Sequence, residues 1–185
     1  MGGKIGPKMV TGLGIHLAVE LSIMAWKVDP ERQLQRCLRR SEGYLGLGML
    51  REAWEEIESL PDLLRARPDT LILMTRLLHA CGRWRETIEL SMVGTDAYPN
   101  IFEFYFLRAA ACEAKGRPDQ AKEVLLNAPR SLRQTDLFHY NLARYEANLG
   151  NLDIARRELK QAIRINQKLR EAAKADPIFQ SLKGG

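Results

Sequence analysis

The chain has 185 residues and a net charge of +5, with 45% hydrophobic and 28% charged residues. That length suits one domain with a real core. The balance is that of an ordinary globular protein, which excludes a long disordered tail and a strongly cationic nucleic-acid tract.

In chain order, the first segment is the hardest to assign. Lys4 and Lys8 precede an apolar stretch from Val10 to Trp26, the outline of a secretory signal. His16 and Glu20 interrupt it, and no small-x-small cleavage site follows Met24, so the expectation is no signal and a cytoplasmic chain. Leu13, Ile15, Leu17, Val19, Leu21 and Ile23 alternate with Gly14, His16, Ala18, Glu20 and Ser22, a period-two pattern that favours a strand. One strand alone is not stable. Three readings stay open for residues 1–33: a helix capping the neighbouring helical region, pairing in a dimer, or a partly disordered extension. No run of eighteen uncharged apolar residues occurs, so no membrane-spanning helix is expected.

From Asp29 onward the pattern becomes helical and periodic. Asp29-Pro30 reads as an N-cap and a first-turn proline. Helix-like stretches at 31–47, 69–81, 101–115 and 136–149 are each followed by a glycine: Gly48, Gly82, Gly116 and Gly150, at equal intervals along the chain. Second helical stretches follow at 50–60, 84–93, 118–127 and 152–174. The glycine is predicted to be a left-handed C-cap that reverses the chain. Shortly beyond each glycine, at a fixed offset, stand Ala53, Thr87, Ala121 and Ala155, small enough for two helix axes to cross closely. Asp69, Asn100 and Asp136 are candidate caps of the later first helices, Asn151 caps the last second helix, and Pro118 starts the second helix of the third unit. The last helix is expected to run through Leu169 to Ala175. Asp176-Pro177 then breaks it, and Ile178, Phe179 and Leu182 fold back as a cap.

This metre resembles the tetratricopeptide repeat family, in its bacterial type, whose unit is about 34 residues long. In that family's frame four repeats occupy 34–67, 68–101, 102–135 and 136–169, with 170–185 as C-terminal cap and tail. The small residue at position eight is Ser41, Thr75, Ala109 and Ala143. The large apolar residue at position twenty-four is Ile57, Leu125 and Leu159. Position four, where the family prefers Trp, carries Cys37, Leu71, Tyr105 and His139. Repeat two departs most, with Thr87, Ser91 and Gly94 at positions usually alanine, large apolar and alanine, and loose packing is expected there. The resemblance implies an all-α fold: an α-solenoid, a right-handed superhelix of antiparallel helix pairs with a C-terminal capping helix.

It also implies a function. First helices line the concave face in this family, so the expected peptide-binding groove holds Leu38, Ile72, Phe106 and Tyr140 at position five. Arg39, Leu73 and Asn141 stand at position six, Arg76 and Arg144 at position nine, and His79 at position twelve. That lining suits a partner peptide or helix with apolar anchors and some carboxylates. Members that clamp a chaperone tail carry Lys and Asn where Leu38 and Glu42 stand, so no carboxylate clamp of that kind is expected. A nucleic-acid-binding helical repeat using the mild basic surface is the alternative, although its only cationic cluster is Arg36, Arg39 and Arg40. No HExxH, P-loop or GxSxG motif occurs, and no carboxylate or nucleophile stands at motif spacing from His16, His79 or His139. No catalytic residue, metal or cofactor is expected. Cys37, Cys81 and Cys112 have neither CxxC nor Cys/His spacing and read as buried free thiols.

Overall fold

The structure, a computed structural model, describes residues 29–184. The alternating stretch from Leu13 to Ile23, the signal-like stretch and all three readings of the N-terminal segment before Asp29 lie outside the described residues. Among the described residues every regular element is helical. The α-helices are α1 Pro30–Gly46, α2 Leu50–Glu58, α3 Asp62–Arg65, α4 Pro68–Ala80 and α5 Trp84–Ala97. They continue as α6 Phe102–Ala114, α7 Pro118–Leu126, α8 Asp136–Asn148, α9 Leu152–Ile165 and α10 Leu169–Ala175. Short 3-10 turns occupy Leu132–Gln134 and Pro177–Gly184. No described helix is long and apolar enough to cross a membrane.

Four helix pairs, α1/α2, α4/α5, α6/α7 and α8/α9, repeat one antiparallel hairpin. Each hairpin turns at a glycine with φ of 73°, 69°, 74° and 79° in chain order, and no other described residue has positive φ. Each hairpin then crosses on its small residues. Ser41, Thr75, Ala109 and Ala143 on the first helices are fully buried, as are Ala53, Thr87, Ala121 and Ala155 on the second. In repeat one the contact is explicit, because the Ser41 hydroxyl donates to the Ala53 carbonyl at 2.8 Å. A larger side chain in either column would force the axes apart.

Repeat two is not loose. Thr87 and Ser91 are fully buried, and their hydroxyls donate to the Arg83 and Thr87 carbonyls at 2.9 and 2.7 Å, so neither is an unmet polar group. Gly94 leaves space that the fully buried Phe104 ring fills. Its counterpart one repeat on is Ala128, which shares a core cluster with Phe138. Small residues late in one repeat thus face large rings early in the next.

The hairpins are not all alike. Pro61 and Pro129, at the same frame position, follow the short helices α2 and α7, of nine residues each. Proline donates no N–H and resists helix continuation. Helices α5 and α9 lack it and reach 14 residues each. They stop instead where Tyr98 and Asn166 leave the helical region. The last second helix therefore does not run through to Ala175. Asn166 breaks it, donating from Nδ2 to Asp136 at 2.7 Å while its Oδ1 accepts from the Lys168 N–H at 3.1 Å.

The caps also differ in part from expectation. Asp29 Oδ1 accepts from the Glu31 N–H at 3.0 Å, with Pro30 opening α1, and Pro118 opens α7. Asp69 and Asp136 lie inside the first turn rather than at the cap, where they suit the helix dipole. Thr135 caps α8 by accepting from the Phe138 N–H, and Ile101 rather than Asn100 precedes α6. Asn151 precedes α9, but its side chain donates to Glu146 at 2.8 Å instead of capping.

The solenoid's far end is closed by α10 and the turn after Asp176-Pro177. Phe179 is buried against Ala143 and Ala173, its ring centroid 5.4 Å from that of Tyr140 in an edge-on arrangement. Ile178 and Leu182 pack on the same cluster.

The cysteines split. Cys37 and Cys112 are buried, but Cys81 is exposed, because it caps the end of α4 just before the Gly82 turn. Burial, then the nearby Glu56 carboxylate, pushes the Cys37 thiol up to about 11, and burial raises Cys112 as well. Buried neutral thiols are poor nucleophiles. A disulfide-exchange reagent at pH 8 should therefore modify one thiol per native chain quickly and all three only after unfolding. Cys81→Ser should remove the fast phase; a fast phase that survives would contradict the burial.

Two glycine substitutions separate backbone strain from crowding. An added Cβ at Gly116 meets nothing within 4 Å, so Gly116→Ala should cost only the left-handed backbone penalty, roughly 1–2 kcal/mol. At Gly94 the gain in helix propensity, about 1 kcal/mol, opposes overlap with the buried Phe104 ring. Overpacking of this kind costs about 1–3 kcal/mol or more. Gly94→Ala should therefore lower the melting temperature, and adding Phe104→Leu should recover part of the loss. A Gly94→Ala protein that melts higher would refute the close approach.

A candidate peptide groove on the first helices

The first helices α1, α4, α6 and α8 present one side to an open groove. The position-five residues Leu38, Ile72, Phe106 and Tyr140 are all half-buried. Their neighbours make two adjoining cavities. The larger, about 810 Å³, lies across α1, α4 and α6, with Leu38, Ile72 and Phe106 as its apolar floor. Arg39, Glu42, Asp69, Arg76 and Glu103 stand around that floor. The smaller, about 340 Å³, lies between α6 and α8 and is closed by α10. Its apolar walls are Phe102, Phe106, Leu137, Tyr140, Leu169 and Ala172. Glu103 and Phe106 line both cavities.

The neighbouring aromatics divide by helix geometry. Phe104 and Tyr105 point into the core, while Phe102 and Phe106, one turn apart, reach the groove.

Two expected groove residues lie elsewhere. Leu73 is only 2% exposed and belongs to the core cluster with Leu34, Leu60 and Leu77. Position six points at the seam between successive first helices, which also buries Leu107 and Asn141. Asn141 keeps an edge on the smaller cavity, but its Nδ2 donates back to the Leu137 carbonyl at 2.8 Å. Arg39, in the first repeat, has no preceding described hairpin to cover it and stays exposed. His79 lines neither cavity. Its ring packs edge-on against Trp84 at 4.8 Å, and burial lowers its pKa, so it is neutral near pH 7.

Electrostatics change the expected lining further. Arg76 pairs with Glu42 at 3.1 Å across one repeat interval. The Arg144 guanidinium lies 3.0 Å from Asp176 and 3.9 Å from Glu113. The Tyr140 hydroxyl donates to the same Asp176 carboxylate at 3.4 Å; burial first, then Asp176, raises the phenol's pKa. Each of these arginines thus has a carboxylate within the chain, in a partly shielded pair for Arg144 and in an exposed, weak one for Arg76. Sequence reasoning overlooked the acidic set: Asp69 and Glu103 at position two, and Asp176 in the cap. Position two recurs once per repeat as Gln35, Asp69, Glu103 and Leu137, so the column was visible in the sequence.

The same hairpin stack occurs in solved proteins. One is TTC0263, described as a thermophilic TPR (tetratricopeptide repeat) protein of Thermus thermophilus. It matches with a TM-score of 0.67 and 23% identity, over 80% of this chain and 82% of that one. This fold is the tetratricopeptide type. MamA of Desulfovibrio magneticus RS-1, from residue 41 to its end, matches with a TM-score of 0.60 and 17% identity, over 81% of each chain. The MamA RS-1 ArsTM double mutant matches to the same extent. Comparison with protein-family models and with curated proteins returns no match. Among the described residues of this tetratricopeptide fold, no cluster of His, Cys, Asp or Glu has the makings of a metal site.

The Asp176 contacts predict how the groove's far wall is held. Asp176→Asn keeps an acceptor for the Ile178 N–H but loses the charge facing Arg144. Both side chains are partly shielded, so the loss should be about 1–3 kcal/mol. Hydrogen exchange should accelerate in residues 169–182 more than in α1 or α4. Uniform acceleration, or none, would mean that the pair does not fasten the cap.

Proposed function

We propose that this chain is a protein-interaction scaffold that holds a peptide or a single helix of another protein along the groove of its first helices. The observation that carries the reading is the column Leu38, Ile72, Phe106 and Tyr140. These are four apolar side chains at one frame position, each half-buried and each lining one of two adjoining cavities. Apolar side chains aligned along an open face lose little by being covered and gain by it. Burying two or three partner anchors there would contribute on the order of several kcal/mol before ordering costs. The tetratricopeptide fold of TTC0263 and MamA supports a helical-repeat scaffold.

A nucleic-acid reading is weaker. Glu42, Asp69, Glu103 and Asp176 line the cavities, and carboxylates there repel a phosphate backbone. Helical-repeat RNA binders also need polar base-reading pairs where this chain places its apolar column.

A phage-displayed random peptide library, panned on the purified chain, tests the reading. Selected peptides should bind the double variant Ile72→Ser, Phe106→Ser at least tenfold more weakly, with far-ultraviolet dichroism unchanged. Peptides that bind both proteins equally, or a library that yields no specific binder, would overturn the groove assignment.

A further inference from the structure

We infer that the groove selects a partner segment carrying a Lys or Arg side chain next to a bulky apolar anchor, with the cation between Asp69 and Glu103 and the anchor in the crevice between α6 and α8. The inference rests on the groove reading above and adds the chemistry of the occupant.

The apolar half of the site is the smaller cavity. At about 340 Å³ it falls within the size range of ligand clefts, about 300–1,000 Å³. Its walls combine the Phe106 ring, Tyr140 and Leu137, and α10 closes its end. Leu137 stands where Asp69 and Glu103 stand in the two repeats before it, so the same frame position turns from acidic to apolar at this point.

The charged half follows from cancellation. The two cavities are lined by four carboxylates, Glu42, Asp69, Glu103 and Asp176, and three guanidiniums, Arg39, Arg76 and Arg144. Arg76 is matched by Glu42, and Arg144 by Asp176. Asp69 and Glu103 have no ion-pair partner among the described residues; nor does Arg39, which belongs to the first repeat. A cavity-facing cluster of net negative charge thus sits on a chain of net charge +5.

Acidic residues in first helical turns are common in this chain, as Asp119 and Asp153 show, and the helix dipole accounts for them. Asp69 and Glu103 differ in flanking an apolar floor, and Glu103 lies at the junction of both cavities. A partner's ammonium or guanidinium in the larger cavity would be attracted by both carboxylates, which line it together with Phe106. An acidic partner would face the same two carboxylates, and the one unpaired cation of the described lining, Arg39, stands on α1 at the first-repeat side of the larger cavity. That opposition supplies selectivity by repulsion as well as by attraction.

The test uses peptides selected from the phage library on the intact chain. Each is resynthesised with a fluorescein label, once as selected, once with every Lys and Arg changed to Gln, and once with them changed to Glu. Binding is measured by anisotropy at low and moderate salt, against the wild-type chain, Asp69→Asn/Glu103→Gln and Ile72→Ser/Phe106→Ser. Asp69 and Glu103 are exposed, so their neutral variant should keep the fold. The selected set should be enriched in a cation near a bulky apolar residue. Changing it to Glu should weaken binding at least tenfold on the wild type and less than threefold on Asp69→Asn/Glu103→Gln, with the difference shrinking as salt rises. Groove-dependent peptides that show no cation preference, or prefer Glu, would overturn the inference and leave the groove reading standing. Peptides indifferent to Ile72→Ser/Phe106→Ser would overturn both.

Discussion

Every hairpin in this chain depends on two helices being allowed to touch at nearly backbone distance. Eight positions enforce it: Ser41, Thr75, Ala109 and Ala143 on one helix, Ala53, Thr87, Ala121 and Ala155 on the other, all with no exposed surface. Where the small residue is polar, its hydroxyl donates to a nearby carbonyl, Ser41 to Ala53 and Thr75 to Leu71. The crossing therefore tolerates Ser and Thr because a carbonyl of the facing helix or of the preceding turn satisfies the hydroxyl. It would not tolerate bulk. The left-handed glycine matters because it brings the second helix back onto that contact within a few residues.

A second rule acts between hairpins. Gly94 opposite Phe104, and Ala128 in one cluster with Phe138, exchange volume across the repeat boundary. The glycine that made repeat two look deficient is the complement of a ring in repeat three. Proline adds a longer rhythm. Pro61 and Pro129 stand two repeat lengths apart, behind the two short second helices. The chain is thus an alternation of two hairpin kinds within a single repeat metre. The short α7 is followed by the crevice between α6 and α8, where the walls of the groove are most apolar.

The fold was legible because its determinants are local and periodic. Gly116 announces a turn without reference to any other part of the chain, and three more glycines in register turn one signal into a pattern. The position-five column was legible for the same reason. Leu73 and His79 were misplaced because side-chain direction at positions six and twelve depends on the neighbouring helix, which a single repeat does not specify. Leu73 faces the seam with repeat one, and His79 turns onto Trp84 at the start of its own partner helix. The break at Asn166 was hidden in part because one of the two side-chain hydrogen bonds that hold it is long-range, to Asp136. The cations were counted correctly, but their pairing was not, since Arg144 on α8 meets its carboxylate beyond the whole of α9, in the cap.

That pairing changes what the groove can recognise. In a sequence of net charge +5, arginines on an apolar face suggest an acidic partner. In the structure Arg76 and Arg144 serve the scaffold itself: one joins repeats one and two, and the other fastens α8 to the C-terminal cap. The partly shielded Arg144 offers a partner little, because engaging it means first giving up the internal pair, whereas the exposed Arg76 is held only weakly. The carboxylates left over, Asp69 and Glu103, occupy a frame position with no repeat-to-repeat partner, so nothing in the stacking of hairpins requires their charge. Structural demand accounts for the small columns, the glycines and the arginine pairs. The helix dipole accounts for acids in the first turns, but not for two of them, unpaired among the described residues, lining the cavity of a half-exposed phenylalanine; the recognition proposed for a cationic, apolar segment would use them there.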